Sequence, residues 1–205
     1  MSSKVYVNGN YFDKNDAVIS VFDRGFLFSD SIYEVTAVIN GLLVDWKAHY
    51  SRMEQSLKKI NLDFDIKENE IFSILKNLVD KNSIKEGLVY IQVTRGVGER
   101  DFNFSEIESK PTIVIFTQDK KILNTDREKK GIKIVTLEEE RWKRRDIKTT
   151  QLLAPSMAKT ESSKRGKDDC WFIENGYITE GSSSNAFIIN YNNEIVTRKL
   201  SHNLL

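Results

Sequence analysis

Apolar and polar positions switch period several times along the chain. Val5 to Asp13 alternates around Asn8-Gly9, a two-residue turn signal, and predicts a hairpin. Tyr33 to Ile39 puts Tyr33, Val35, Ala37 and Ile39 on one strand face, and Asn40-Gly41 returns the chain onto Leu42-Leu43-Val44. The period then becomes helical. Trp46, Tyr50, Met53, Leu57 and Ile60 recur at alternating four- and three-residue intervals, with Asp45 placed as N-cap. Ile71, Ile74, Leu75, Leu78 and Val79 form the apolar face of a second helix within residues 65–82, which Gly87 is expected to break. Leu88 to Thr94 and Pro111 to Thr117 read as strands.

Residues 118–130 are polar and aperiodic and read as a linker. Beyond it, Ile132 to Val135 predicts a strand, and Leu152 to Arg165 a helix with Pro155 in its first turn and Gly166 at its C-terminal stop. Asp169 to Ile173, the Asn175-Gly176 turn, and a hairpin of Ala186–Ile189 with Glu194–Thr197 complete an α+β pattern. The expected organisation is an N-terminal α+β domain over 1–117, the linker, and a second domain over 131–205. The run Glu138 to Lys143 reads as a solvated charged face.

Composition narrows the function classes. At 205 residues, roughly 70% of the unfolded surface can be buried, so a core forms without staples. Thirty-one Lys and Arg against 30 Asp and Glu leave no basic excess, which argues against a nucleic-acid or membrane-surface partner. One cysteine, Cys170, and two histidines argue against a structural zinc site and fit a reducing, cytoplasmic compartment. Met1-Ser2-Ser3-Lys4 has no apolar signal core, and no apolar run is long enough to span a bilayer. The chain stops on Leu204-Leu205, an uncapped apolar pair that reads as an interruption, not an end.

Two stretches carry candidate chemistry. Ile178-Thr179-Glu180-Gly181-Ser182-Ser183-Ser184-Asn185 sets one carboxylate beside a glycine, three hydroxyls and an amide. Upstream stands Arg144-Arg145-Asp146-Ile147-Lys148-Thr149-Thr150. A lysine amine near cations, or buried, loses its proton more readily and becomes a nucleophile. His49 and Arg52 lie three apart, off the core stripe of their helix, and a guanidinium fork suits two phosphate oxygens.

Together these motifs resemble the fold-type IV pyridoxal 5'-phosphate (PLP) enzymes, the family of D-amino acid and branched-chain aminotransferases. The resemblance runs from Asp23 to Asn185 and implies a two-domain architecture, with an N-terminal α/β sandwich and a barrel-like second domain that is incomplete here. It implies that Lys148 forms the Schiff base, Glu180 pairs with the pyridine nitrogen, and Arg52 of His-x-x-Arg holds the phosphate. Ser183 and Ser184 join the cofactor contacts. Tyr33 lines the substrate side, and Arg100 belongs to the loop that traps the substrate carboxylate. The chain departs from the family at Ser29 and Ser31, where glycines are usual, and at Phe102, where D-amino acid enzymes have a histidine. The implied activity is transamination between an amino acid, D-alanine favoured, and a 2-oxo acid, in a homodimer without metal. Branched-chain transamination and aminodeoxychorismate lyase action are the alternatives within the fold. A truncated non-catalytic dimer partner, or a plain binding module, is the alternative outside it.

Overall fold

The computed structural model describes residues 3–104 and 109–204; the readings made on Met1-Ser2 and on Leu205 lie outside the described residues. It divides into two compact units.

The first unit comprises residues 1–123 together with Ile147–Thr150. Its strands are β1 (Lys4–Val7), β2 (Asn10–Asp13), β3 (Ser31–Ile39), β4 (Leu42–Leu43), β5 (Glu86–Thr94) and β6 (Thr112–Asp119). Its helices are α1 (Arg24–Phe28), α2 (Trp46–Lys59) and α3 (Glu68–Lys81). The six strands form one antiparallel sheet in the order β2-β1-β6-β5-β3-β4. The β1–β2 turn is made by Asn8 (φ 46°) and Gly9 (φ 95°), the left-handed pair that a two-residue hairpin requires.

The core lies between the sheet and the helix pair. Ile32, Val38, Val89, Ile91, Val93, Ile113 and Ile115 supply the sheet side; Trp46, Met53, Leu57, Ile71, Leu75, Leu78 and Val79 supply the helix side. The face of β3 bearing Tyr33, Val35, Ala37 and Ile39 is the half-exposed one. The buried face carries Ile32, Glu34, Thr36 and Val38. A carboxylate, Glu34, therefore sits at core parity.

Some local expectations change. Asp45 precedes α2 in a left-handed conformation and makes no side-chain capping bond. Gly87 does not end α3; it lies within β5, and the helix stops at Asn82 with Ser83 left-handed at φ 54°. The stretch expected to be an unstructured linker holds the end of β6 and a short helix.

That helix, α4 (Asp126–Lys130), opens the second unit, residues 124–146 with 151–205; Thr125 caps it through its hydroxyl. β7 (Ile134–Glu138), α5 (Leu153–Lys164) and β8 (Asp169–Glu174) follow, with β7 and β8 parallel. β9 (Tyr177–Gly181) adds antiparallel to β8, giving the order β7-β8-β9. β10 (Phe187–Ile189) and β11 (Ile195–Thr197) form a separate hairpin with exposed side chains. The division places Ile147–Thr150, expected in the second domain, in the first unit, because Thr149 bridges to Ile32 and Tyr33 N–H donates to Lys148 O at 2.9 Å.

Candidate active site

Lys148 is pinned by its backbone. Its N–H donates to Ser56 Oγ of α2 at 3.3 Å, and its carbonyl accepts from Tyr33 of β3. The side chain is buried, at 8% exposure, and Nζ stands 3.3 Å from Tyr33 Oη and 4.4 Å from the centre of that ring. Tyr33 stacks on Tyr90 at 5.7 Å, and Tyr90 on Phe116 at 4.8 Å, so three adjacent strands extend an aromatic wall away from the amine. Burial, reinforced by the neighbouring Tyr33, pushes the Tyr90 phenol up to about 12. Its hydroxyl donates to Gln92 Oε1 at 2.9 Å. The Ser31 hydroxyl makes a short bond with that of Thr150.

Arg52 and His49, three apart on α2, converge on Glu34. Arg52 Nε and Nη2 donate to the two carboxylate oxygens at 2.7 and 2.8 Å, and His49 Nδ1 lies 2.7 Å from Oε2. Burial alone would raise the Glu34 carboxyl; the hydrogen bonds from Arg52 and His49, with the charges of Arg52 and Lys148, outweigh it and hold the group below its ordinary value. The same bonds to Glu34 raise Arg52. Arg52 remains 40% exposed while Glu34 is fully buried. Arg100 is exposed, and its guanidinium sits 5.7 Å from each of the Phe28 and Phe102 rings. Phe102 packs edge-on against Phe28 at 5.5 Å, which uses the departure from histidine as an aromatic contact.

The second unit contains Glu180, near the end of β9 and 3% exposed. Arg141 Nη2 donates to its Oε1 at 2.9 Å. Arg141 in turn is forked onto Glu139, through Nε at 2.8 Å and Nη2 at 2.5 Å. Burial alone would raise Glu139, but the bonds and charge of Arg141 hold it below its ordinary value. Within the run Glu138–Lys143, Glu138, Glu140 and Lys143 are exposed, as a solvated face requires, but the side chains of Glu139 and Arg141 are withdrawn from solvent to 1% and 11% exposure because each supplies the other's charge partner. Arg145 adds bonds to Glu174 and to the carbonyls of Asn203, Arg141 and Trp142.

After Glu180 the backbone doubles back. Gly181 N–H donates to Ser184 O at 2.6 Å, and a Cβ at Gly181 would fall 2.4 Å from Ser184 Oγ. Ser182 is buried and bonds Asp169, so its role is local. Ser183 and Ser184 are exposed.

Lys148, Tyr33 and Arg52 are therefore gathered around β3 and α2 of the first unit, whereas Glu180, Ser183 and Ser184 belong to the second. Glu34, Tyr90, Glu139 and Arg141 were not singled out by the sequence reading. Strand parity offered a signal for Glu34, since it shares a face with Ile32 and Val38. Arg141 offered none beyond lying in a charged run. Among the described residues there is no cluster of metal-ligating side chains, and no helix is long and apolar enough to cross a membrane.

The family model for amino-transferase class IV matches residues 31–205. The D-alanine aminotransferase of Staphylococcus aureus (strain MSSA476) is 38% identical over 188 residues, covering 91% of this chain and 66% of that protein. The D-alanine aminotransferase of Bacillus licheniformis is 33% identical over 190 residues, with 92% and 66% covered. The chain thus spans just under two thirds of the length of these curated relatives. Among solved structures, the branched-chain aminotransferase from Thermoproteus uzoniensis with norvaline superposes with a TM-score of 0.79 at 22% identity, covering 100% of this chain and 71% of that one. A fold IV-transaminase from Curtobacterium pusillum gives 0.74 at 22% identity, with 89% and 64% covered. At these identities the structures establish likeness of fold.

Proposed function

The chain belongs to the class IV aminotransferases, whose cofactor is PLP, and from that premise we propose that it moves an amino group between D-alanine, or a similar D-amino acid, and a 2-oxo acid. The observation that carries this reading is Lys148, a buried amine with its backbone fixed on both sides and Nζ against Tyr33.

The donor set fits PLP by its chemistry. An aldehyde needs a primary amine, a phosphate dianion needs cationic N–H donors, and a ring nitrogen needs a carboxylate; the first unit offers Lys148 and the exposed side of Arg52, whose Nε and Nη2 are engaged by Glu34, and the second unit offers Glu180. Ser183 and Ser184, exposed on their loop, add hydroxyl donors. When bound, PLP supplies the electron sink that stabilises charge at the substrate α-carbon. Lys148 then acts as the base that removes the α-proton and returns it, which needs an amine held within hydrogen-bond reach by fixed neighbours. Tyr33 orients that amine through its hydroxyl and ring. Arg100 is assigned to the substrate carboxylate.

D-Alanine is favoured over a branched-chain donor because the relatives at 33–38% identity bear that name. The reading also makes the protein a cytoplasmic homodimer. The exposed Val18, Val21, Phe22 and Phe26 of the first unit support self-association, and light scattering tests it. The test of function is borohydride reduction of the PLP-loaded protein with peptide mapping, alongside pyruvate formation from D- and L-alanine. Label on Lys148 and preference for the D-isomer are expected. Label on another lysine, or its absence, removes Lys148 from the role; preference for L-leucine or for aminodeoxychorismate replaces the substrate.

A further inference from the structure

Arg141 is restrained more closely than a charge partner for Glu139 requires. Its backbone N–H donates to Glu139 Oε1 at 3.0 Å, its side chain forks onto both oxygens of the same carboxylate, and its guanidinium sits over the Phe172 ring at 4.4 Å. Glu139 is itself held by the Thr179 hydroxyl at 3.4 Å. These contacts define the guanidinium plane before Glu180 is considered. Nη2 then brings a second buried carboxylate to the same nitrogen, at 2.9 Å. Two carboxylates so close repel each other unless a cation stands between them. Burial would lower Arg141, and its bonds to Glu139 and the charges of both glutamates more than reverse that.

We propose that Arg141, oriented by Glu139, is the positioning residue for Glu180, fixing the direction of its carboxylate and so the strength of its hold on the PLP ring nitrogen; this rests on the reading of Glu180 given above. Without Arg141, the Glu180 carboxylate would lose the 2.9 Å contact that sets its direction, and its alignment on a pyridinium would loosen with it.

The test uses the intact protein, as holoenzyme and as apo form, with Arg141→Met, Arg141→Lys, Glu139→Gln and Glu180→Gln. The readouts are the PLP dissociation constant and the pH dependence of the bound cofactor's long-wavelength absorbance. Arg141→Met should weaken PLP binding about tenfold, the equivalent of one charge-assisted hydrogen bond, and displace the pH profile. Arg141→Lys, which keeps the charge and loses the fork, should recover part of both, and Glu139→Gln should move both in the direction of the Met variant. In a Glu180→Gln background, Arg141→Met should add no further displacement of the profile. If Glu180→Gln shifts both readouts while the Arg141 variants match wild type, the positioning role is wrong and the reading of Glu180 stands. If Glu180→Gln changes neither, the reading of Glu180 falls and takes this inference with it. Should Arg141→Met fail to fold by circular dichroism, the Lys and Glu139→Gln variants decide by the same criteria.

Discussion

Arg52 gives Glu34 two hydrogen bonds, at 2.7 and 2.8 Å, yet the two partners sit in unlike surroundings: Glu34 is fully buried and Arg52 is 40% exposed. The pair is therefore asymmetric. Deleting the arginine strands a carboxylate in the core with His49 beside it. Deleting the carboxylate leaves a guanidinium that can turn to water.

The first prediction follows from that asymmetry. Arg52→Met should cost about 2 kcal/mol, the loss of charged hydrogen bonds to a group that stays buried. Glu34→Gln should cost about 1 kcal/mol, because Arg52 regains solvent. Adding Glu34→Gln to Arg52→Met should recover part of the loss. Urea unfolding of the three variants gives the order, and a larger loss for Glu34→Gln would show that Arg52 is not the rescuable partner. PLP titration should show weaker binding in Arg52→Met if its exposed side serves the phosphate.

A pH dependence follows from the same carboxylate. The folded Glu34 and Glu139 groups lie below the ordinary value of 4.5. Well above 4.5 both folded and unfolded chains carry these groups ionised, so their stabilisation is fully present. As pH falls below that value the unfolded chain takes up protons before the folded one does, and stability drops until the folded groups protonate too. Unfolding free energy should therefore decline as pH falls below about 5, and Glu34→Gln should flatten that slope. An unchanged slope would show that Glu34 is not held ionised by its partners.

How much of this was legible in the chain depended on whether a residue's role is local. The Asn8-Gly9 hairpin and the Asn175-Gly176 turn rest on backbone preference and fold as expected, as does most of the stripe from Trp46 to Ile60, whose Trp46, Met53 and Leu57 are buried while Ile60 falls on the helix's C-cap. Arg52 stood off its helix stripe, as the spacing indicated, but its partner Glu34 is brought to it by the packing of α2 on β3, which no local pattern encodes. The charged run after β7 misled for the same reason. Three glutamates followed by basic residues look solvated until a second segment, here Glu180, arrives to complete the pairing of Glu139 with Arg141. The assignment of Lys148 to the first unit follows from its hydrogen bonds to β3 and α2, contacts across roughly a hundred residues of chain.

Tyr33→Phe should separate the ring from the hydroxyl. The ring remains to stack on Tyr90 and to face Nζ, so stability should stay within about 0.5 kcal/mol of wild type. The hydroxyl contact to Lys148 is lost, and one hydrogen bond of about 0.5–1.5 kcal/mol corresponds to a two- to tenfold fall in kcat. Steady-state kinetics with D-alanine and a 2-oxo acid measure it. A change in KM alone, with kcat unchanged, would move Tyr33 from orienting the amine to contacting substrate.

The tight return after Glu180 gives a prediction that needs no cofactor. A methyl group at Gly181 would come within 2.4 Å of Ser184 Oγ and 3.2 Å of Ser184 O. The nearer obstacle is a side-chain hydroxyl that can rotate or be removed; the farther one is backbone, fixed by the bond from Gly181 N–H. Gly181→Ala should thus destabilise the protein by about 1–3 kcal/mol through overpacking, not through backbone dihedral strain. Ser184→Ala on that background removes the 2.4 Å contact and should recover most of the loss, leaving the tighter approach to the carbonyl as the remainder. Thermal unfolding of the two single variants and the double variant measures the coupling between the sites. Strict additivity would show that Ser184 Oγ is not what excludes a side chain there, and the cost would then lie in the Ser184 carbonyl or the neighbouring Cys170 carbonyl at 3.5 Å.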